Sequence, residues 1–116
     1  MSYKKLLENL KALPPEQRIL AAERYIYEND QGEEECGCVL GKGLPQLREF
    51  FKLRNTKHID AFLFSRADLE GMTVNEALLV QGENDSFGFR KNDRHIREAR
   101  YKYMIEWLEQ RVGEEK

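Results

Sequence analysis

The sequence predicts an all-α domain, a compact bundle of five or six helices with a Gly/Cys-rich loop at 32–45 and a long C-terminal helix. Three observations carry that expectation. Apolar residues recur at three- and four-residue spacing through Tyr3, Leu6, Leu7, Leu10 and Leu13, the period of one helix face. Thr73 followed by Glu76 is a capping box, in which the threonine hydroxyl accepts from the N3 amide and the glutamate accepts from the threonine amide. From about residue 94 to 112 there is neither glycine nor proline, and Ile96, Ala99, Tyr101, Tyr103, Met104, Ile105, Trp107, Leu108 and Val112 spread over well over half of a helix circumference. No strand pattern of comparable length competes, and no internal repeat is visible.

Taken in order, Ser2 is placed to cap a first helix, which Pro14 and Pro15 end. Pro15 suits the first turn of a second helix, with Glu16 at its positive end and Ile19, Leu20, Ala22 and Ile26 available to the core. Asn29, Asp30 and Gly32 close it, and Glu33, Glu34 and Glu35 read as a solvated run. Leu44 and Pro45 open a third helix containing Leu47, Phe50 and Phe51, stopped at Asn55; Thr56 caps a fourth, in which Ile59, Phe62 and Leu63 share a face. The capping box then starts a helix over 74–81, with Gly82 as its expected terminator. Residues 83–93 have turn chemistry at both ends and a short extended piece around Phe87 and Phe89, after which Asn92 or Asp93 caps the last helix.

At 116 residues the chain is expected to form one domain, 1–116, large enough to bury about two thirds of its unfolded surface without disulfides. Apolar residues make up 41% and charged residues 34%, a balance that argues against a disordered or membrane protein. No apolar run approaches the roughly 18 residues of a membrane span, and the opening M-S-Y-K-K is too polar for a signal peptide. The expected location is therefore cytoplasmic, with Cys36 and Cys38 as thiols. The net charge of −2 conceals an asymmetry: residues 16–35 carry seven acids against two bases, and residues 89–102 six bases against two acids. Such blocks meet each other within a subunit or across a two-fold interface, or one of them meets an external partner.

The loop at 32–45 gathers four of the eight glycines, both cysteines and an acidic run. Its G-C-V-L-G-K-G invites comparison with a phosphate-binding P-loop and fails it twice. Three residues, not four, separate Gly37 from Gly41, and Gly43 stands where a serine or threonine would ligate magnesium. A glycine-lined helix junction is the simpler reading. Cys36, Cys38, His58 and His95 supply the four ligands of a closed zinc site, but a C-x-C pair splays its side chains and the histidines lie 20 and 57 residues beyond Cys38. Cys38 is better read as a small buried hydrophobe, and the glutamates beside Cys36 oppose a thiolate nucleophile. No metal, cofactor or catalytic constellation is expected.

The last helix is the stronger candidate. Arg97 and Arg100 fall on its apolar arc, and inward arginines need carboxylates or phosphates; Asp85 or the acidic second helix would serve structurally. The functional alternative is an anion or nucleic-acid surface made by Arg90, Lys91, Arg94, Arg97 and Arg100, with Lys42 near it and Phe87, Phe89 and Tyr101 available for stacking. Asn84, Asp85 and Ser86 are polar enough to line a pocket, and are also ordinary helix-exit residues.

With C-G-C-V-L-G-K-G-L-P, G-M-T-V-N-E-A-L-L-V-Q-G-E-N-D and R-Y-K-Y-M-I-E-W-L in view, the layout resembles small uncharacterised helical proteins of bacteria and their phages. The resemblance covers about two thirds of the chain, implies a helical fold and a microbial or viral source, and transfers no catalytic residue. Cys36 and Lys42 depart from the layout, in which the cysteine directly precedes an apolar-Gly turn as Cys38 does.

The expected function is that of a non-enzymatic cytoplasmic interaction or regulatory protein, a phage or prophage accessory or host-modulating factor with an unknown protein partner. A homodimer is expected through Tyr101, Met104, Ile105, Leu108 and Val112 of the last helix. The alternative is a nucleic-acid or phosphate-ligand module built on the basic arc at 90–102. No membrane partner is expected.

Overall fold

The apolar periodicity of the first thirteen residues becomes helix α1, Lys4–Lys11, which buries Leu6, Leu7 and Leu10. In this computed structural model, which describes residues 3–22, 27–28, 34–53, 66 and 69–114, the helix begins at Tyr3 without a side-chain cap. Its far end is closed by distant side chains. Arg18 donates from Nε to Leu13 O at 2.9 Å and from Nη2 to Lys11 O at 3.4 Å, and the Tyr101 hydroxyl donates to Leu10 O at 2.7 Å. Lys11 O is one of the last carbonyls that a helix leaves without an intrahelical partner, and Leu10 O takes the Tyr101 hydroxyl alongside Leu13 N at 3.2 Å.

The segment expected as a Gly/Cys-rich loop at 32–45 is corrected: its described part is the short strand Glu34–Cys36 followed by a one-turn helix, joined to the next helix at Leu44. Cys38 caps the short helix α2, Val39–Gly43, its sulfur accepting from the Gly41 amide at 3.4 Å. A side chain at Gly43 would collide with Leu6 and press on Leu10, so glycine here lets α2 lie directly against α1. Helix α3, Pro45–Leu53, follows at once and buries Leu47. The expected stop of α3 at Asn55, the expected Thr56 helix, the Ser2 cap, and the closing residues Asn29, Asp30 and Gly32 lie outside the described residues.

Both halves of the capping box form: Glu76 N donates to Thr73 Oγ1 at 3.1 Å, and Thr73 N to Glu76 Oε1 at 2.8 Å. The helix it starts, α4, runs Val74–Ser86, past the expected stop at Gly82. A glycine costs about 1 kcal/mol inside a helix but terminates one only when the chain turns there, and the buried Asn84 and Asp85 of the next turn hold the helix on course. The last helix, α5, Arg94–Glu114, carries Tyr101, Met104 and Leu108 into the core formed with α1, α2 and α4. Tyr3 meets Trp107 edge to face at 5.5 Å and donates to Glu76 O at 3.0 Å, tying α1 to α5 and α4.

The expected second helix is corrected. Pro15–Gln17 is one turn of 3-10 helix, and the chain from Ile19 to Ala22 leaves it without forming an α-helix. All four of these consecutive residues are buried. Four in a row occupy nearly a full turn of helix and cannot share one face, whereas a non-helical segment sandwiched on both sides buries them all. Leu20 forms a parallel bridge with Gly37, and Ala21 N donates to Gly37 O at 2.8 Å. A short antiparallel pair, Tyr27–Glu28 with Glu34–Cys36, stands beside this bridge in the sequence and is the one sheet among the described residues. The class remains all-α. Among the described residues no helix is long and apolar enough to cross a membrane.

Candidate functional site

A buried segment such as 19–22 brings its peptide groups with it, and each needs a partner. Three side chains supply them. Arg100 Nη1 donates to Leu20 O at 2.8 Å; Asn84 Nδ2 donates to Ala21 O at 3.0 Å; Asn92 Oδ1 accepts from Ala22 N at 2.7 Å while its Nδ2 reaches Ala22 O at 3.5 Å. Leu20 N in turn donates to Arg97 O on α5 at 3.1 Å. Asn84 also accepts the Val39 amide at 3.1 Å, joining the start of α2 to the same network. Gln81 and Asn84 both donate to Asp85 Oδ1, at 2.7 and 3.0 Å.

Arg100 is the hub. It is fully buried, and all five of its N–H groups have acceptors: Nε on Asn84 O at 2.8 Å, Nη1 on Leu20 O and on Asn92 Oδ1 at 3.4 Å, Nη2 on Phe87 O at 2.8 Å and Lys91 O at 2.7 Å. The expected need for an anion is met by carbonyl dipoles. One of them, Asn84 O, belongs to the last turn of α4, where the helix dipole is negative. Arg100 is therefore withdrawn from the anion-binding set, and Arg97, 7% exposed, is withdrawn with it because its side chain lies inside the protein.

Arg100 also fixes a strained turn. Phe87 is extended and breaks α4, after which Gly88, Phe89 and Arg90 take φ values of 69°, 57° and 64° before Lys91 returns to extended backbone. Left-handed backbone costs roughly 1–2 kcal/mol for each residue that carries a Cβ, here Phe89 and Arg90. Glycine at 88 removes that cost and a collision, since a Cβ there would meet Ile96. The two Arg100 Nη2 bonds grip the carbonyls on either side of the turn, Lys91 N closes it on Gly88 O at 3.2 Å, and the Phe87 ring stacks on Tyr103 at 4.9 Å. The consequence is at its apex. Phe89 is 91% exposed, with Arg90 and Lys91 after it and Arg94 at the start of α5, all on the surface.

The basic arc read from the sequence thus divides. Arg90, Lys91 and Arg94 stand outside around Phe89, Arg94 with only a long 3.8 Å contact to Glu98. Arg97 and Arg100 are inside, and Lys42 sits half-buried in the last turn of α2, which packs against α1, α3 and α4. The expected dimer face divides as well. Tyr101, Met104 and Leu108 are core residues of this chain, while Ile105 and Val112 pack partly buried against that core. A broad apolar arc is filled here by α1 and α4 on two sides. The feature missed at the sequence level is the left-handed turn: F-G-F-R shows one glycine, and nothing local marks Phe89 and Arg90 as left-handed.

Of the residues considered for zinc, Cys38 is buried and His95 exposed, no group of three or more possible metal ligands occurs among the described residues, and Cys36 and His58 lie outside the described side chains. Burial pushes the Cys38 thiol up from its ordinary 9.0 to about 12. In a Cys36→Ser background, native Cys38 is expected to be inert to thiol reagents at pH 8 and to react only after unfolding; fast reaction of the native protein would refute the burial. The unfolded thiol ionises first, so Cys38 supports the fold fully below pH 9 and loses that contribution as pH rises from 9.0 towards about 12.

No family model, no curated protein and no solved structure matches the chain.

Proposed function

We propose that the protein is a non-enzymatic interaction protein that inserts Phe89 into an apolar pocket of an acidic-rimmed protein partner. The observation that supports this reading is a phenylalanine exposed at the apex of a strained turn that a fully buried arginine holds in place. A single exposed apolar side chain is ordinary. Strain maintained by buried hydrogen bonds is not, and it concentrates where a side chain must be presented. Arg90, Lys91 and Arg94 add a positive rim, which speeds encounter with an acidic surface and sets orientation more than affinity. In keeping with the layout's resemblance to small bacterial and phage helical proteins, the role is that of a cytoplasmic accessory or host-modulating factor.

The reading does not need a dimer through α5. Light scattering after size exclusion is expected to give a mass near the chain's 13.7 kDa at low and high salt alike; a salt-resistant dimer would reopen the helix as an interface. The function itself is tested by replacing Phe89 with benzoyl-phenylalanine and irradiating in extract of the source cells. A nuclease-resistant protein adduct, suppressed by excess wild-type protein and not by Phe89→Ala, is expected. A nuclease-sensitive adduct would transfer the turn to nucleic acid, where Phe89 would stack on a base. No competed adduct would overturn the proposal.

A further inference from the structure

Away from the 87–91 turn, and sharing no residue with it, a groove runs between the end of α1 with its 3-10 turn and the outer side of α5. It comprises two depressions that meet at Arg18, Tyr101 and Lys102. One, about 320 Å³, adds Lys11, Ile105 and Glu106; the other, about 420 Å³, adds Pro15 and Glu98. Each is within the range of small-ligand pockets.

We propose that this groove binds a small organic carboxylate with an aromatic or branched apolar body. Arg18 is exposed yet held, because its Nε is engaged by Leu13 O just past α1 and its Nη2 by Lys11 O at the end of α1, and its Nη1 N–H groups find no acceptor among the described residues. A guanidinium fixed in this way is ready for a carboxylate without first giving up side-chain freedom. Lys102 lies beside it, exposed and without an ion pair among the described residues. Of the other charges, Lys11 pairs with Glu109 at 3.2 Å, Glu106 lines only the first depression and Glu98 only the second, so neither carboxylate belongs to the part that the two share. The carboxylate therefore belongs in the shared part, on Arg18 and Lys102. The Tyr101 hydroxyl is committed to Leu10 O and its side chain is largely buried, so the half-buried Ile105 receives most of the apolar body, with only the part of the Tyr101 ring that lines the groove behind it.

Titration of the ¹⁵N-labelled full chain with 3-phenylpropionate is the test. Saturable shifts are expected at the Tyr101, Lys102 and Ile105 amides and at the Arg18 Nε–H signal. The neutral 3-phenylpropionamide is expected to bind at least about fivefold more weakly, having lost the charge-assisted bonds. Because Arg18 also closes α1, Lys102→Ala is the cleaner variant: it should weaken the acid about two- to fivefold, the range of an exposed ion pair, and leave the amide unchanged. Shifts that do not saturate by about 10 mM, shifts centred elsewhere, or equal binding of acid and amide would overturn the site.

Discussion

Arg100→Met is expected to remove about 4 kcal/mol or more of folding stability, the largest loss from any single substitution on α5. Methionine fills much of the space but leaves Leu20 O, Asn84 O, Phe87 O and Lys91 O without their buried donor. Each stranded acceptor costs about 1–3 kcal/mol where water cannot reach it, and removing one side of a buried charged network typically costs 3–5 kcal/mol. Against a total of about 5–15 kcal/mol for a small domain, that is a large fraction. Arg100→Lys should recover only part of it, since an ammonium has three donors on one atom and cannot span acceptors from four parts of the chain. The contrast is Arg94→Ala, whose 3.8 Å contact to Glu98 joins two exposed side chains and should be worth less than about 0.5 kcal/mol. Urea unfolding followed by circular dichroism separates the two: a midpoint drop of about 2 M for Arg100→Met, with essentially none for Arg94→Ala. Equal midpoints would mean that the carbonyls find water and that Arg100 is not the hub.

That pair of arginines also shows how far the sequence reaches. Helical periodicity placed Arg97 and Arg100 on the inner arc of α5, and both are buried. What periodicity cannot convey is the acceptor. A carboxylate leaves a residue name to look for, but a backbone carbonyl leaves none, and Leu20 is 80 residues away from Arg100 in sequence. The capping box of α4 and the proline entry to α3 were legible because their chemistry is local, complete within four residues. The segment Ile19–Ala22 was misread because its apolar residues also satisfy a helix in isolation. Only the presence of Gly37 beneath it and Asn84, Asn92 and Arg100 around it makes the non-helical path the better one. The candidate site follows the same logic. Arg90, Lys91 and Arg94 could be picked out by charge alone, whereas Phe89 becomes distinctive only through a backbone that Arg100, ten or so residues on, imposes.

Phe89→Asn separates presentation from packing. In the free protein the phenylalanine ring is 91% exposed and contributes almost no burial, while its left-handed backbone is one that asparagine tolerates better than other residues with a Cβ. The variant should therefore be as stable as wild type or up to about 1 kcal/mol more stable. Its competition against the Phe89 crosslink should fall by about 30-fold or more, since an aromatic anchor desolvated at the centre of an interface typically costs 2 kcal/mol or more when removed. Phe89→Ala should lose binding to the same extent, with stability close to wild type, which excludes asparagine's polarity as the cause. Lys91→Ala, at the rim, should slow association and leave stability unchanged. A gain in stability bought at the expense of binding is the mark of a residue kept for its partner. If Phe89→Asn instead destabilised the protein by more than about 1 kcal/mol, the ring would be packing against this chain in solution, and the turn would be a structural corner and not a contact point.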